Sequence, residues 1–325
     1  MEDKVCILLA TYNGEKYLKE QLESILNQTY KNFVVLISDD ASQDNTANII
    51  RKYMEEFPDK IYYLGNDKKG GAVENFSFLL KNSINADYYM FSDQDDIWCE
   101  DKVIKSINRI RSMKMDGKSN CLVYCDAELV DENEQIIVKS FLKNSKFKMR
   151  KENRKTILVS SFAPGAAMIF DAELYELVKN MPREAHIHDW WVLLNAVYFG
   201  NIEFMDEQLY EYRQHSNNVY GAGLIRNKNG IINFIKNNTI LNTLKRLSNQ
   251  TNELQLKQKE MVKAFYEQKK SLFNDENEDI LTDFLELYNN KSRLKRLFII
   301  FKQGFYSISL LDNVLYIWNI VRRNV

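Results

Sequence analysis

Tyr88-Tyr89-Met90-Phe91-Ser92-Asp93-Gln94-Asp95-Asp96-Ile97-Trp98 is a run of core-forming residues that gives out onto three carboxylates. Tyr88 to Phe91 reads as a buried strand. Carboxylates crowded where a strand ends raise one another's pKa and destabilise the fold. A hard divalent cation with oxygen ligands removes that cost, and Mg²⁺ usually brings a phosphate with it. The competing reading is an acidic helix start, since Asp favours the positive end of a helix dipole. Three carboxylates at one strand end, followed by Ile97-Trp98, favour the cation. The stretch therefore points to a metal-dependent enzyme acting on a nucleoside diphosphate compound.

Upstream, strand and helix signals alternate. Val5-Cys6-Ile7-Leu8-Leu9-Ala10 is unbroken and apolar, as in a strand covered on both faces, and Thr11-Tyr12-Asn13-Gly14 ends it. Tyr17, Leu18, Leu22, Ile25 and Leu26 fall at helical spacing. Phe33 to Ile37 predicts a second strand, closed by Ser38-Asp39-Asp40-Ala41-Ser42. A helix over about Thr46 to Phe57 stops before Pro58. Ile61 to Leu64 predicts a third strand, and Gly70-Gly71 opens a helix that buries Phe76, Leu79 and Leu80. The β-α-β-α-β-α-β order predicts an α/β, Rossmann-like fold with a mostly parallel sheet between helices. Ligands of such sheets sit beyond the carboxyl ends of the strands. Thr11-Tyr12-Asn13, Asp39-Asp40, Gly70-Gly71 and Asp93 to Asp96 all fall there.

Downstream the pattern changes. Leu122 to Asp126 predicts a strand, and Leu129 to Val138 a turn and second strand around Glu132-Asn133-Glu134. Lys143 to Lys155 is strongly basic, a loop or helix. Phe162 to Phe170 passes from small residues into a strand, and Asp171 is placed to cap the next helix. His186-Ile187-His188-Asp189-Trp190-Trp191 leads into a helix through about Phe199, ended by Gly200. From about Gly230 the pattern is helical. Leu241, Leu244, Leu247, Leu254, Met261, Val262 and Phe265 mark long amphipathic segments, with a further helix near Ile280 to Tyr288. Arg293 to Lys302 and Tyr316 to Arg323 mix basic and apolar residues. The Asn-rich stretch Asn227 to Asn242 fits a linker. The expected organisation is a catalytic domain over residues 1–229 and a helical region over 230–325. The second serves a membrane surface, the acceptor or a second copy in a homo-oligomer; the pattern leaves these open.

With 325 residues the chain is long enough for about two domains of roughly 150 residues. Its net charge of −1 gives no pull toward nucleic acid. None of the four cysteines forms a Cys-x2-Cys pair, so neither a zinc site nor a disulfide framework is indicated. Val5 to Ala10 is too short, and lacks the basic flank, for a signal peptide. No run reaches about 18 uncharged apolar residues, the span of a membrane helix. The expectation is a reduced, cytoplasmic protein that meets a membrane only at its inner face.

Each motif has a plain alternative. Asp39-Asp40 is either a capped turn or a pair of acceptors for the imide N–H of uracil or thymine. Gly70-Gly71 is a turn without a GxGxxG or P-loop pattern. Asp189 is either a helix cap or a base at the mouth of a pocket, within reach of an acceptor hydroxyl. His215, in Gln214-His215-Ser216-Asn217-Asn218, is either a surface histidine or a metal or phosphate contact.

Taken in order, Leu9-Ala10-Thr11-Tyr12-Asn13-Gly14, Ser38-Asp39-Asp40-Ala41-Ser42-Gln43-Asp44, Asp93-Gln94-Asp95-Asp96 and His188-Asp189-Trp190 resemble the family 2 glycosyltransferases, with the GT-A fold, over roughly Val5 to Tyr220. Ser92 to Trp98 together with Gln214 to Asn218 looks most like the bacterial rhamnosyltransferase branch, which builds surface polysaccharides. The resemblance implies that Thr11, Tyr12 and Asn13, with Asp39 or Asp40, face the donor nucleotide. Asp93 and Asp95 would hold ribose and metal, and Asp95, Asp96 and His215 would hold Mg²⁺ or Mn²⁺. Asp189 would be the general base, with His188, Trp190, Trp191 and Gly165 on the acceptor side. The implied reaction is inverting transfer of L-rhamnose from dTDP-β-L-rhamnose, or of a hexose from a UDP-sugar, to a saccharide acceptor that is lipid-linked. Where many relatives carry an Arg-Asn pair, this chain has Glu74-Asn75, so Lys68 or Lys69 would supply the positive charge. Two rivals stand beside it. A nucleotidyltransferase would show a Gly-rich basic loop, of which Thr11 to Lys16 is a poor version. A non-catalytic carbohydrate-binding scaffold would not need Asp93, Asp95, Asp96 and Asp189 intact.

Overall fold

The computed structural model describes residues 2–144, 154–215, 240–307 and 310–323. The first half is built as the alternation predicts: β1 (Val5–Thr11), α1 (Leu18–Leu26), β2 (Phe33–Asp39), α2 (Thr46–Glu56), β3 (Ile61–Tyr63), α3 (Ala72–Lys81) and β4 (Tyr88–Ser92). Every residue of β1, β2 and β4 is buried, which is why these strands read as continuous apolar runs. The chain continues through β5 (Ile97–Trp98), α4 (Lys102–Met115), β6 (Cys121–Val130), β7 (Ile136–Val138) and α5 (Phe141–Asn144). After a 3-10 turn at Gly165–Ala167 come β8 (Met168–Asp171), α6 (Ala172–Val178), α7 (His188–Phe199) and β9 (Asn201–Arg213).

The strands form one mixed sheet in the order β3-β2-β1-β4-β8-β6-β9-β5, with β7 on the side of β6. The first four run parallel, and β8 enters antiparallel between β4 and β6. Register decides where the chemistry goes. Thr11 lies opposite Asp39 and Leu9 opposite Ser92, so the loops after β1, β2 and β4 leave the same edge. At the far end, Ile97 pairs with Glu211 and Trp98 with Tyr210. That short ladder brings the acidic loop beside the end of β9, and with it Arg213 and His215.

Local signals account for the boundaries. Asp171 caps α6 as expected, accepting from the Leu174 N–H at 2.9 Å, while its other oxygen accepts from the Cys121 N–H at 3.0 Å. Gly200 ends α7. The residues of α7 from Trp190 to Ala196 are buried all round, as in a helix enclosed by its domain. Three elements differ from the sequence expectation. β6 runs unbroken to Val130 before the turn into β7. α4 and the 13-residue β9 were not among the expected elements.

The chain divides into two compact units. The first holds the sheet: residues up to 144, 163–183 and 187–215. The second combines the C-terminal helices with residues 154–162 and 184–186. Its helices are α8 (Ile240–Lys269), α9 (Asp275–Asn289), α10 (Arg293–Gln303) and α11 (Leu310–Arg322). The buried face of α8 carries Gln255, Gln258, Met261, Val262 and Phe265, whereas Leu254, expected on that face, is exposed. The expected linker Asn227 to Asn242 lies outside the described residues up to position 239, and 240–242 begin α8. Most of the basic stretch Lys143 to Lys155, the boundary at 229–230, the side chains of Leu241, Leu244 and Leu247, and Ser216-Asn217-Asn218 also lie outside them. Among the described residues no helix is long and apolar enough to cross a membrane, and all four cysteines are free thiols.

Candidate active site

The loop after β1 is braced from two sides. Thr11 donates its hydroxyl to Asp39 Oδ1 at 2.7 Å. Asp39, wholly buried, also accepts from the Ser42 N–H at 2.9 Å and the Ser42 hydroxyl at 2.5 Å. Asn13, held at positive φ, donates its N–H to Ser42 Oγ and accepts from the Gln43 N–H, both at 2.8 Å. Asn tolerates that backbone region better than most residues. Asp39, expected with Asp40 to face the donor nucleotide, is engaged here in fixing Thr11 and Ser42. Asp40 accepts backbone N–H groups from Lys69, Gly70 (3.0 Å) and Gly71 (2.7 Å), and so clamps the loop before α3. Both glycines have positive φ, which that close wrap requires. Asn75 reaches the Ser38 carbonyl at 2.9 Å, tying α3 to the end of β2. Lys69 turns its ammonium to the carbonyls of Asp67 and Asp39, while Lys68 and Glu74 are exposed.

The residue joining this loop to the acidic one is Gln94. Its side-chain oxygen accepts from the Tyr12 N–H at 2.8 Å, and its amide nitrogen donates to the Tyr12 carbonyl at 2.9 Å. A Cβ on Gly14 would collide with this amide, so the glycine is what lets Gln94 lie flat against the loop. Tyr12 is left 56 % exposed, its ring free to meet a ligand.

The acidic loop is electrostatically loaded. Burial, with Asp95 and then Asp189 adding repulsion, pushes Asp93 up to about 7. Asp96 is wholly buried, and neither carboxylate oxygen makes a hydrogen bond of ordinary geometry. Burial first, then Asp95 and Asp93, drive its pKa well up; Lys102 and the Arg213 N–H act weakly in the other direction. Asp95 Oδ2 meets His215 Nε2 at 2.8 Å. His215 stacks on Tyr17 with 4.8 Å between ring centres. Arg213 lies over the same tyrosine, donates Nε–H to the Asp95 carbonyl at 3.1 Å and pairs with Glu20 at 2.5 Å.

Lys102, in the first turn of α4, is also wholly buried. Its ammonium donates to the Ala166 carbonyl at 2.6 Å and sits 3.8 Å from the Trp98 ring centre and 4.4 Å from that of Tyr210. Burial pushes its pKa down to about 8, against the pull of nearby Asp96 and Asp93. One side chain thus ties the Gly165–Ala167 turn to the acidic side of the site.

The start of α7 lies near enough to the acidic loop for Asp189 to raise Asp93. Asp189 lies in its first turn and is not the cap, which falls at Ile187. Burial pushes Asp189 up to about 7, opposed by N–H groups of Trp190 and Gly165, and its Oδ1 has no hydrogen-bond partner. His188 stacks on Phe76 at 3.9 Å and meets Phe91 edge-on at 4.8 Å. Burial pushes it down to about 3, so it is neutral at ordinary pH. Gly165 packs against it: a Cβ there would lie 2.7 Å from His188 Nε2. The two tryptophans, expected on the acceptor side, are both buried. Trp191 is wholly buried and donates its indole N–H to the Val178 carbonyl at 3.1 Å, and Trp190 is 4 % exposed. Neither has a free face for stacking a sugar; both are core residues that hold α7.

The fold thus gathers Asp93, Asp95, Asp96, Asp189 and His215, with Gly165 and His188 beside Asp189, and sets the Thr11–Asn13 loop next to them through Gln94. Gln94, Lys102 and Arg213 are residues that tie the site's loops together and that motif reading passed over. Lys102 follows the acidic loop by six residues and Arg213 precedes His215 by two, a buried-charge spacing that becomes visible only once β5 and β9 are paired.

A mixed, mostly parallel sheet between helices, with a carboxylate cluster at its strand ends and a second buried carboxylate at the start of α7, is consistent with a GT-A-like fold. Residues 6–178 match the family model described as Glycosyl transferase family 2, and the chain belongs to that family. It is 34 % identical over 242 residues to a Shigella flexneri protein named dTDP-rhamnosyl transferase RfbG, covering 68 % of this chain and 80 % of that one. It is 29 % identical over 205 residues to the Rickettsia typhi protein named uncharacterized glycosyltransferase RT0329, covering 61 % of each. Among solved structures it is similar to Staphylococcus aureus TarS 1-349 in complex with UDP-GlcNAc, with a TM-score of 0.51 and 16 % identity over 98 % of this chain and 89 % of that one. It is also similar to a Pyrobaculum calidifontis mannosyltransferase in complex with GDP-Man and Mn²⁺, with a TM-score of 0.50 and 14 % identity over 98 % of this chain and 88 % of that one. At such identities these structures speak for the fold alone.

Proposed function

We propose that this glycosyltransferase inverts the anomeric centre as it moves L-rhamnose from dTDP-β-L-rhamnose to a hydroxyl of a growing, lipid-linked bacterial surface polysaccharide. The observation that carries the reaction is Asp189. Its carboxyl group has an unpartnered oxygen and a pKa raised to about 7, and its charge acts on Asp93 in the acidic loop. A base poised near the working pH combines the correct protonation state with driving force for proton transfer. The rhamnosyl donor is supported by the name of the Shigella relative.

Asp189 takes the proton of the acceptor hydroxyl as that oxygen attacks the anomeric carbon. His188, neutral and stacked between Phe76 and Gly165, keeps the approach rigid and uncharged. On the donor side Thr11, Tyr12 and Asn13, braced by Asp39 and Gln94, receive the nucleotide, with Asp40 shaping the loop at Gly70-Gly71. Asp93 would hold the ribose.

Among the described residues no three His, Cys, Asp or Glu side chains form a ready-made metal cage. Mg²⁺ does not need one: it usually takes one or two carboxylates and fills the rest of its shell with water and substrate phosphates. The two unpartnered oxygens of Asp96 and the close meeting of Asp95 with His215 fit that demand. Asp95, Asp96 and His215 would hold Mg²⁺ or Mn²⁺, which when bound neutralises charge on the departing nucleoside diphosphate.

The test is a transfer and thermal-shift panel with dTDP-β-L-rhamnose, UDP-hexoses and GDP-mannose, each with Mn²⁺ and with EDTA. Stabilisation and turnover confined to the dTDP-rhamnose and Mn²⁺ arm are expected. Preference for a UDP-hexose would overturn the donor, and full activity in EDTA the metal.

A further inference from the structure

The second unit presents an apolar stripe that its own packing does not use. In α10, Leu294, Phe298 and Phe301 are 80 %, 64 % and 62 % exposed. They are spaced four and three apart, so they line one face of the helix. The opposite face packs inward: Ile299 and Ile300 are buried, and Arg296 donates to the carbonyls of Arg323 at 2.9 Å and Val321 at 3.3 Å. Both helix ends are fixed, by the Ser292 hydroxyl accepting from the Lys295 N–H and by Gly304 in the left-handed region. The stripe is therefore a property of an ordered helix held in one orientation within its unit.

Charge says what the stripe meets. Lys295 and Lys302 border it, one and four residues from Leu294 and Phe298, and from Arg293 to Gln303 there are four cationic residues and no acidic one. Lys295 pairs with Glu286 at 2.6 Å and Lys302 with Asp283 at 3.5 Å. Both lysines are more than half exposed, and ion pairs in that setting contribute little and exchange readily for other anions. In α11 the same mixture recurs: Val314 and Trp318 are 58 % and 53 % exposed, and Arg322 stacks over the Trp318 ring at 4.7 Å. A short helix with a Leu/Phe face edged by lysines is the form that lies in the headgroup region of a bilayer. Its apolar side chains enter the acyl boundary and its ammonium groups stay with the phosphates.

We propose that the Leu294–Phe298–Phe301 face of α10 is a docking surface for an anionic lipid bilayer, which it meets lying flat. The assignment does not depend on which sugar the catalytic unit transfers.

The experiment is flotation of the full chain with vesicles of phosphatidylcholine containing phosphatidylglycerol, against pure phosphatidylcholine. The wild type is expected to float with the anionic vesicles, less with the neutral ones, and less again as salt rises. The variant Leu294→Ser/Phe298→Ser/Phe301→Ser is expected to lose at least five-fold of its flotation, with an unchanged melting temperature and unchanged hydrolysis of soluble nucleotide sugar. Lys295→Gln/Lys302→Gln should abolish the preference for anionic vesicles. A wild type that does not float, or a triple-serine variant that floats equally, overturns the proposal. So does a wild-type dimer that the triple-serine variant converts to a monomer while flotation is unchanged, since the stripe would then be a subunit interface.

Discussion

In the proposed mechanism two carboxyl groups, Asp189 and Asp96, set the chemistry at the residue scale, and their surroundings give them different tasks. Asp189 is raised to about 7 by burial and works as a base only when ionised. Turnover should therefore be low below pH 7 and rise as pH passes through about 7. His188, pushed down to about 3, does not titrate in that range. Asp189→Asn is expected to cut turnover by about 10²-fold or more, the usual scale of general-base catalysis, with donor affinity nearly unchanged. The residual activity should lose its acidic limb. A limb that persists in the variant would assign it to Asp93, and near-normal turnover would remove Asp189 from the mechanism. Asp96 is the opposite case: a buried carboxylate whose oxygens make no hydrogen bond of ordinary geometry is costly to the fold, a cost that the proposed metal would offset. Asp96→Asn should raise the melting temperature in EDTA by a few degrees while abolishing Mn²⁺-dependent donor binding. Calorimetry showing wild-type metal and donor affinity in that variant would overturn the assignment.

At the scale of elements, the site is a set of loops locked to one another, and Gln94 is the lock between those after β1 and β4. Gln94→Ala removes two hydrogen bonds to the Tyr12 backbone, worth about 1 kcal/mol each. A rise of about ten-fold in the donor KM with a smaller change in kcat is expected. Gly14→Ala should copy the effect, because its new methyl group displaces the same amide. If steady-state kinetics show Gly14→Ala unchanged, the coupling of the two loops is wrong. This coupling also marks how far the sequence could be read. Strands buried on both faces announce themselves as apolar runs, so β1, β2 and β4 and the edge where they end were legible. So were the chemically strange residues at that edge. β9 was not, because its register on β6 shifts between Cys125 and Asp126 and again before Glu128, which breaks the two-residue alternation. α4 carried a readable signal in Val103, Ile107, Ile110 and Met113, interrupted by charges, one of which, Lys102, is itself buried. The contact of Asp95 with His215 spans 120 positions and depends on β5 pairing with β9, so no local pattern announces it. Trp190 and Trp191 mark the opposite limit: the sequence places them beside the candidate base but carries no sign that both are buried.

For the whole molecule, the order of the chain matters more than a boundary near residue 230 suggests. Residues 154–162 belong to the unit of the C-terminal helices: Gln258 donates to the Val159 carbonyl at 3.1 Å, and Arg154 pairs with Glu276 at 3.2 Å. Ile157, Leu158 and Val159 are buried. Residues 184–186 belong to that unit as well. The chain thus leaves the sheet-bearing unit and returns to it twice, and each return comes just before residues proposed to lie on the acceptor side, Gly165 in one case and His188-Asp189 in the other. A chain ending near residue 230 would lose the partners of 154–162 while retaining its apolar residues. It should unfold at a markedly lower temperature than the full chain and bind a hydrophobic dye, and its transfer activity should fall even with a soluble acceptor. A truncated chain with the full-length melting temperature and turnover would show that the sheet-bearing unit is self-sufficient. The interleaving would then be a feature of connectivity without energetic consequence.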